Sequence, residues 1–367
     1  MKYGYKKNLR NIILVASLSL VILIVIMSLN DFSKIMNVIK KCKIEYIIIA
    51  LGLLLIYQFS WPFSLMILTK AKKVDISMRE VYSIGLTENF FNGITPFATG
   101  GQPFQIYAFS KSKIRASIST SLLLMNFIIM MLASNTFAIA SLVYYKSYMK
   151  NIENFKVIAI IGFSINFFVL LMSITFGICK KVDDSIIILV RKISYIFKPF
   201  RKNREKNNKI LTEYFTNMRN GFSELFSHKK AFFLTYLVKI FTLFIYYLIP
   251  FFILKALNVG FGIENLVYVT LGTSFAITAV VFVPTPGASG GIEVAFEKIF
   301  KSISGVTSPV ALGAMFLFRL ITYYFLLLVS FISYLRFEKR TRNYLDVSSK
   351  VQSLDDKNYI SEDLKNG

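Results

Sequence analysis

The sequence predicts an all-α membrane protein with six transmembrane helices and two re-entrant helical hairpins that form an inverted repeat. The prediction rests on composition, on long uncharged stretches and on a motif that occurs twice. Of the 367 residues, 55% are hydrophobic and 17% are charged, a balance that soluble domains of this size do not have. Several uncharged stretches reach the roughly 20 residues that a helix needs to cross about 30 Å of hydrocarbon. Lipid is therefore the main solvent of this chain.

Charge, cysteine and histidine content argue against several other classes. The net charge of +23 would suit nucleic acid only if it formed a patch on a soluble fold, whereas here the basic residues separate apolar runs, and we expect no nucleic-acid partner. Cys42 and Cys179 fall on opposite sides of the membrane in the topology below, so no disulfide is expected. His228 is the only histidine, which predicts neither a zinc site nor a His-based catalytic centre. We expect no metal and no cofactor.

Six apolar runs predict complete crossings. The first follows a basic N-terminus and lacks a small-residue cleavage site, so it is interpreted as a retained helix rather than a signal peptide. The predicted membrane domain covers 1–337, and a polar cytoplasmic tail covers 338–367. The six crossings are 11–30, 46–69, 116–145, 157–179, 231–254 and 309–335.

Two further apolar regions, 80–110 and 265–304, are each interrupted by the same motif, Thr-Pro-x-Ala-[Thr/Ser]-Gly-Gly. The motif occupies 95–101 in the first region and 285–291 in the second. Pro and Gly break a helix, and broken backbone at membrane depth is tolerated only where it is buried in protein or lines a wet cavity. Each region is therefore predicted to be a re-entrant hairpin.

Positive charges in short loops predict the orientation in the bacterial plasma membrane. With both termini in the cytoplasm, most Lys and Arg lie inside. Four lysines from 34 to 43 fall outside, and we explain them by an amphipathic segment that lies on the outer surface. The first hairpin lies between the lysines of 70–73 and 111–113 and so enters from the cytoplasm, whereas the second enters from outside. Related hairpins that enter from opposite faces are typical of an inverted repeat.

The stretch 180–230 is basic and has helical periodicity in its apolar residues. One interpretation places it along the inner membrane surface, where anionic headgroups attract basic residues. The other is a solvated loop that only sets the topology.

The two motifs suggest a binding site for an anionic lipid. A helix that starts after each Gly pair would present freed backbone N–H groups and a positive dipole end at membrane depth, which suits a lipid phosphate. The alternative is close packing between helices, for which glycine is common in membranes.

Four ionisable residues within the membrane need a reason to be there, because each is costly to bury. Arg319 with Glu293 is the natural pair, and Lys239 with Glu88 is a weaker suggestion. Arg319 would either hold a lipid phosphate or neutralise Glu293, while Lys239 suits a snorkelling or packing role. Asn89, Asn92, Gln102 and Gln105 add polar groups to the first hairpin, either to hydrogen-bond a headgroup or to satisfy the broken backbone. The candidate lipid-binding residues are Glu88, Asn89, Asn92, Pro96, Gly100, Gly101, Gln102, Pro286, Gly290, Gly291, Glu293 and Arg319.

The chain resembles the transmembrane region of the lysylphosphatidylglycerol synthase/flippase family from its first helix to about Phe337. The resemblance implies a membrane module that moves lipids between leaflets. In the best-known members the lipid is aminoacylated phosphatidylglycerol, which reduces susceptibility to cationic peptides, and other relatives belong to polyprenyl or glycolipid pathways. The residues that carry the resemblance are Asn89, Asn92, Pro96, Gly100 and Gly101, then Pro284, Pro286, Gly287, Gly290, Gly291 and Glu293.

Three functions follow from this reading. The leading hypothesis is a flippase-like translocator of an anionic lipid, driven downhill or by ions, because no ATP-binding Gly-rich loop is present. The second is a lipid enzyme with Glu88 or Glu293 as a buried base. Lysyltransferase activity is not expected, since no segment of this sequence corresponds to the soluble aminoacyl-transfer domain of the full-length enzymes. The third is a membrane subunit of a separate lipid synthase. The expected partners are an anionic membrane lipid and either such a synthase or further copies of this chain.

Overall fold

The computed structural model describes residues 32–145, 153–194, 204–260, 262–280, 283, 285, 288, 290–301, 303 and 305–341. In these ranges the chain is helical and contains no strand. Five helices are long and apolar enough to cross a membrane, so the chain is a multi-pass membrane protein. They match five of the six predicted crossings, while the predicted crossing 11–30 lies outside the described residues. The five helices are Ile44–Ala71, Ala116–Tyr144, Val157–Ile178, Lys229–Ala256 and Ser308–Thr341.

The helices are numbered here in chain order. The first crossing in this set is interrupted at Trp61–Pro62, because proline lacks the N–H that continues a helix, and is therefore divided into two helices. The last continues to Thr341, beyond the predicted boundary at 337. The helices are α1 (Phe32–Lys40), α2 (Ile44–Ser60), α3 (Phe63–Ala71), α4 (Met78–Leu86), α5 (Glu88–Gly93), α6 (Gly101–Lys111), α7 (Ala116–Tyr145), α8 (Glu153–Ile178), α9 (Lys180–Ser194), α10 (Arg204–Ser227), α11 (Lys229–Ala256), α12 (Asn265–Ala279), α13 (Gly291–Phe300) and α14 (Ser308–Thr341).

Hairpin 1 consists of α4, α5 and α6, with a short 3-10 turn, Pro96–Ala98, at its tip. The N-cap of α4 is Ser77, whose hydroxyl accepts a hydrogen bond from the Glu80 N–H, as serine often does at this position. The Ser112 hydroxyl in turn donates to the Glu80 carboxylate, so the two ends of the hairpin meet. Helix α6 has 11 residues and is about 16 Å long, roughly half the thickness of the hydrocarbon core.

Hairpin 2 consists of α12 and α13, which pack against each other. Helix α13 has 10 residues and is about 15 Å long, again too short to cross. Of the motif between the two helices, residues 286, 287 and 289 lie outside the described part of the chain. Beyond α13, the Ser308 hydroxyl donates to the Glu297 carboxylate at 2.9 Å, which ties the open end of the hairpin to the start of α14.

The open ends of the two hairpins lie at opposite ends of α14. Near its start, Gly313 lies beside Leu257, just past the end of α11, and α12 follows after a short connection. Near its end, Arg340 lines one cavity together with Arg79 and Lys111, which belong to the two arms of hairpin 1. Helix α14 therefore runs from the open end of hairpin 2 to the open end of hairpin 1.

The described residues of the basic stretch 180–230 include α9 and α10, and α10 packs against other helices of the protein. Phe222 and Leu225 of α10 are buried in a core cluster with α3, α4, α6 and α7. The Tyr214 and Thr120 hydroxyls hydrogen-bond at 2.7 Å. The described residues of this stretch are thus helical rather than a loop, and α10 contacts α7 and α8.

Candidate functional site

The predicted pair of Arg319 and Glu293 is confirmed. The Arg319 Nε donates to Glu293 Oε1 at 2.8 Å, and the two side chains are only 4% and 1% exposed. The other carboxylate oxygen accepts the Gly290 N–H at 2.6 Å. Both oxygens of Glu293 are therefore used, one by a charge on α14 and one by the start of its own helix.

Gly290 explains why α13 can begin as it does. Its φ of +92° lies in the region that side chains rarely adopt, so only glycine fits without strain. Glu293 stands three residues later and reaches back to the Gly290 N–H, as the third residue of a helix often does. The second Gly-Gly motif thus positions Glu293 beneath Arg319.

Helix α14 contacts both hairpins at its middle. One turn after Arg319, the Tyr323 hydroxyl donates to the Gly93 carbonyl of hairpin 1 at 3.1 Å. The segment that begins after Arg319 and contains Tyr323 is a π-helix, Leu320–Phe325, and single π-turns inside α-helices are often found at functional sites. A small change in the helical register of α14 would therefore alter both contacts together.

A second buried cluster joins hairpin 1 to α11. Glu88 accepts the Trp61 indole N–H at 2.7 Å and a weaker bond from the Gln105 amide at 3.4 Å. The Lys239 ammonium lies 3.4 Å from the centre of the Trp61 ring, in a cation–π contact. The direct ion pair of Lys239 and Glu88 is not formed. Each of the two contacts Trp61 instead, Glu88 at the indole N–H and Lys239 over the ring face.

Lys239 is unusual because its charge has no hydrogen-bond acceptor. The side chain is fully buried, and its Nζ atom has no partner among the described residues. The Oε1 atom of Gln105, also at the Glu88 cluster, is buried without a donor as well. Buried polar groups are normally paired, so this cluster has an unused donor and an unused acceptor.

A chain of aromatic rings connects the two clusters. Trp61 contacts Tyr57 at a centroid distance of 5.5 Å, and Tyr57 contacts Tyr246 at 4.9 Å. Tyr246 contacts Phe318 at 5.8 Å, and Phe318 immediately precedes Arg319. Packed rings of this kind resist independent movement, so the two charged clusters share one rigid wall.

The first motif differs from the expectation of freed N–H groups. The Gly100 N–H donates to the Thr95 hydroxyl at 2.8 Å, and the Gly101 N–H donates to the Asn92 side-chain oxygen at 2.9 Å. Asn92 therefore satisfies broken backbone, which is one of the two roles open to it from sequence. Asn89 donates to Gln58 of α2 at 2.7 Å and so fastens hairpin 1 to that helix.

Both motifs share one strained position. Ala98 and Ala288, which occupy the same place in the two copies, each have a φ of +51°. Non-glycine residues in the left-handed region cost about 1–2 kcal/mol, and such strain concentrates at functional sites and tight turns. The two motifs therefore share a local backbone feature as well as a sequence.

Gly101 offers a direct test of the packing at the first motif. A Cβ atom at this position would lie 2.6 Å from Asn92 Oδ1 and 2.9 Å from Glu88 Cγ. We expect Gly101→Ala to lower the free energy of unfolding by about 1–3 kcal/mol, the usual effect of overpacking. The measurement is unfolding of the purified protein in detergent.

Gly52→Ala is the matched control, because a Cβ there meets nothing within 4 Å in the middle of α2. It should be neutral or stabilise by up to about 1 kcal/mol, since alanine favours helix more than glycine does. Equal effects of the two substitutions would contradict the close packing at Gly101.

The structure brings most of the predicted site residues into these two clusters. Glu88, Asn89, Asn92, Gly100 and Gly101 lie together in hairpin 1, while Gly290, Gly291, Glu293 and Arg319 lie together at hairpin 2. Gln102 is half-buried and Pro96 exposed at the tip of hairpin 1, and neither makes a side-chain contact in the clusters described above. Pro286 falls outside the described residues.

Trp61 and Tyr323 are among the site residues that the sequence did not single out, and the role of Thr95 was not predicted either. Trp61 had a signal, because it is the only tryptophan and stands before a proline within a membrane span. Tyr323 had none, since its role depends on Gly93, which is 230 residues away. Thr95 was identified only as part of the motif, without its role as an acceptor for the Gly100 N–H.

The family model for the lysylphosphatidylglycerol synthase transmembrane region matches residues 12–330. The match covers most of the chain, so the chain belongs to this family. A search of curated proteins found no match to this chain.

Proposed function

We propose that this member of the lysylphosphatidylglycerol synthase transmembrane family is a flippase-like protein of the bacterial plasma membrane. It binds the headgroup of an anionic lipid between hairpin 1 and hairpin 2 and moves it between leaflets, with both termini in the cytoplasm. The observation that carries the proposal is the double contact of α14. Arg319 binds Glu293 of hairpin 2, and Tyr323 binds Gly93 of hairpin 1 one turn later.

The hairpins have the form that alternating access requires. Their arms α6 and α13 are too short to cross, and their open ends lie at opposite ends of α14. In transporters built from inverted repeats, broken helices of this kind meet at the substrate site near the midplane, and one half moves against the other. We propose that hairpins 1 and 2 enter from opposite faces in this way.

The buried charges favour an anionic cargo. A cation at the bilayer centre costs at least about 2.5 kcal/mol on insertion scales, so each retained one needs a reason. Lys239 has no hydrogen-bond acceptor, and a lipid phosphate would supply one. Arg319 is engaged by Glu293 and would exchange this carboxylate for a phosphate, with which guanidinium forms two parallel bonds.

The tip of hairpin 1 supports a hydrated path for the headgroup. Residues 96–99 are exposed, and Phe97 and Ala98 have left-handed backbone. Irregular backbone at membrane depth must be buried in protein or line a wet cavity. We therefore propose that this tip faces a water-filled cleft through which the headgroup moves.

The test is lipid exchange in liposomes that contain the purified full-length chain. Headgroup-labelled phosphatidylglycerol should change leaflet faster with the protein than without it, and Arg319→Ala should abolish the acceleration. Lys301→Ala is the control, because Lys301 is 47% exposed and its ion pair with Glu297, at 3.5 Å, lies at the surface. This variant should retain the wild-type exchange rate. No acceleration of any anionic lipid by the wild type would overturn the proposal.

The opposed entry of the hairpins can be tested by cysteine labelling in a Cys42→Ser, Cys179→Ser background. Ala98→Cys should react with an impermeant thiol reagent only after the cytoplasmic side is opened, and Ala288→Cys should react from outside in intact cells. The physical reason is the charge pattern, which predicts a cytoplasmic open end for hairpin 1. If both cysteines reacted from the same side, the inverted arrangement would be wrong.

A further inference from the structure

A basic cavity lies at the open end of hairpin 1, outside the two buried clusters. Its volume is about 420 Å³, within the range of small-molecule sites. It is bounded by the start of α4, the connection after α6 and the last turns of α14. The residues that line it include Arg79, Lys111, Lys113 and Arg340, with Asp75 and Glu80 as the acidic members.

The charges of this cavity do not cancel. Four cations face two carboxylates, and one of the two, Glu80, already accepts a hydrogen bond from the Ser112 hydroxyl. Among the described residues, no carboxylate lies within ion-pair distance of Arg79, Lys113 or Arg340. The cavity is therefore an electropositive pocket whose donors are available to an anion.

The wall of the cavity is apolar as well as charged. Phe337 lines it and is 6% exposed, and its ring contacts Phe104 at 5.8 Å. Phe104 stacks on Phe91 at 3.9 Å, one residue before Asn92. An aromatic wall thus runs from the cavity to the first Gly-Gly motif.

A second basic cavity adjoins the first and shares Asp75 and Lys113 with it. In this neighbour, however, Lys72 is paired with Glu224 of α10 at 2.7 Å. The two cavities have the same balance of basic and acidic lining residues, but no ion pair forms among the described residues that line the first, and Phe337 gives it an apolar wall. The first cavity is therefore the better match to an amphiphilic anion.

We propose that the cavity at Arg79, Lys111, Lys113 and Arg340 binds the phosphodiester headgroup of an anionic phospholipid from the adjacent leaflet. The cations hold the phosphate, and the Phe337 wall accepts the glycerol backbone and the start of the acyl chains. The site is a loading position before the central clusters, and in this respect it rests on the proposed function. Binding itself requires no transport.

The test measures binding of dioctanoyl-phosphatidylglycerol to the purified full-length chain in nonionic detergent. Arg79→Gln with Arg340→Gln should raise the Kd about thirtyfold, the factor expected when two charges near a headgroup are lost. Lys229→Gln with Lys230→Gln is the matched control. These two exposed lysines stand at the start of α11, away from the cavity, and their loss should change the Kd less than threefold.

Three outcomes would overturn the proposal. An equal loss of binding in the control would show that general surface charge attracts the lipid. Equal affinity for dioctanoyl-phosphatidylcholine would show that the anionic charge is not recognised. Equal competition by glycerol phosphate would show that the ligand is a soluble phosphate and not a lipid.

Measuring leaflet exchange together with lipid binding distinguishes the cavity proposal from the proposed flippase function. Arg319→Ala should abolish leaflet exchange and leave in place the lipid binding that depends on Arg79 and Arg340, because Arg319 lies in the buried cluster at hairpin 2 and does not line the cavity. Normal binding without exchange in the wild type would overturn the flippase function but support the cavity. Exchange at the wild-type rate in the Arg79→Gln, Arg340→Gln variant with unchanged binding would overturn the cavity alone.

Discussion

Arg319→Met should lower the free energy of unfolding by about 3–5 kcal/mol, because it leaves the carboxylate of Glu293 buried without its charge partner. The side chain of Glu293 is 1% exposed, so neither water nor another cation can replace the guanidinium. Methionine keeps most of the length and volume of the arginine stem. The measurement is unfolding in mixed detergent micelles, with Lys301→Met as the matched control for an exposed pair, where about 0–1 kcal/mol is expected.

Adding Glu293→Gln to Arg319→Met should restore most of the lost stability. The double variant has no uncompensated charge, and the glutamine oxygen can still accept the Gly290 N–H that Glu293 now accepts. A double-mutant cycle gives the coupling between the two side chains. If the double variant were as unstable as Arg319→Met alone, the contribution of Arg319 would come from packing and not from its charge.

The double variant also separates the two roles that the sequence left open for Arg319. A protein that folds with normal stability but exchanges no lipid would show that the charged pair is needed for exchange beyond its role in stability. Wild-type exchange in the same variant would show that Arg319 only neutralises Glu293. Stability and exchange therefore have to be measured on the same preparation.

Five crossings could be predicted because each is a long apolar run bounded by charges. The length and composition of such a run are enough to identify a membrane-spanning helix. The two breaks could be predicted because proline and glycine act locally. The pair of Arg319 with Glu293 could be predicted because few ionisable residues occur in apolar runs, which leaves few possible partners.

The rest depended on tertiary packing. No local pattern indicated that Lys239 and Glu88 would each contact Trp61 and not each other, or that the Thr95 hydroxyl would accept the Gly100 N–H. The π-helix of α14 likewise has no proline or glycine in it. The first two features are contacts between residues that are far apart in sequence or arise from the packed fold. Local sequence patterns do not show which distant residues come into contact.

Lys239→Met should raise the free energy of unfolding by about 1–2 kcal/mol, whereas Arg319→Met lowers it. Removing a buried ammonium that has no hydrogen-bond acceptor among the described residues recovers about 2.5–3.5 kcal/mol on insertion scales. The lost cation–π contact with Trp61 offsets about 1–2 kcal/mol of this. Methionine has a similar length, and its sulfur packs well against an aromatic ring. The same unfolding measurement applies, with Lys229→Met at the exposed start of the same helix as the control, where a change within about 0.5 kcal/mol is expected.

The gain in stability should come with a loss of lipid exchange of at least about tenfold, the effect of 1.4 kcal/mol on a binding or rate step. A residue that destabilises the protein yet is required for exchange acts on the cargo, because a purely structural lysine would lower stability when removed. If Lys239→Met lowered the free energy of unfolding as much as Arg319→Met, the ammonium of Lys239 would have a partner that stabilises the fold. Unchanged exchange together with higher stability would show that the buried charge of Lys239 has no part in moving the lipid.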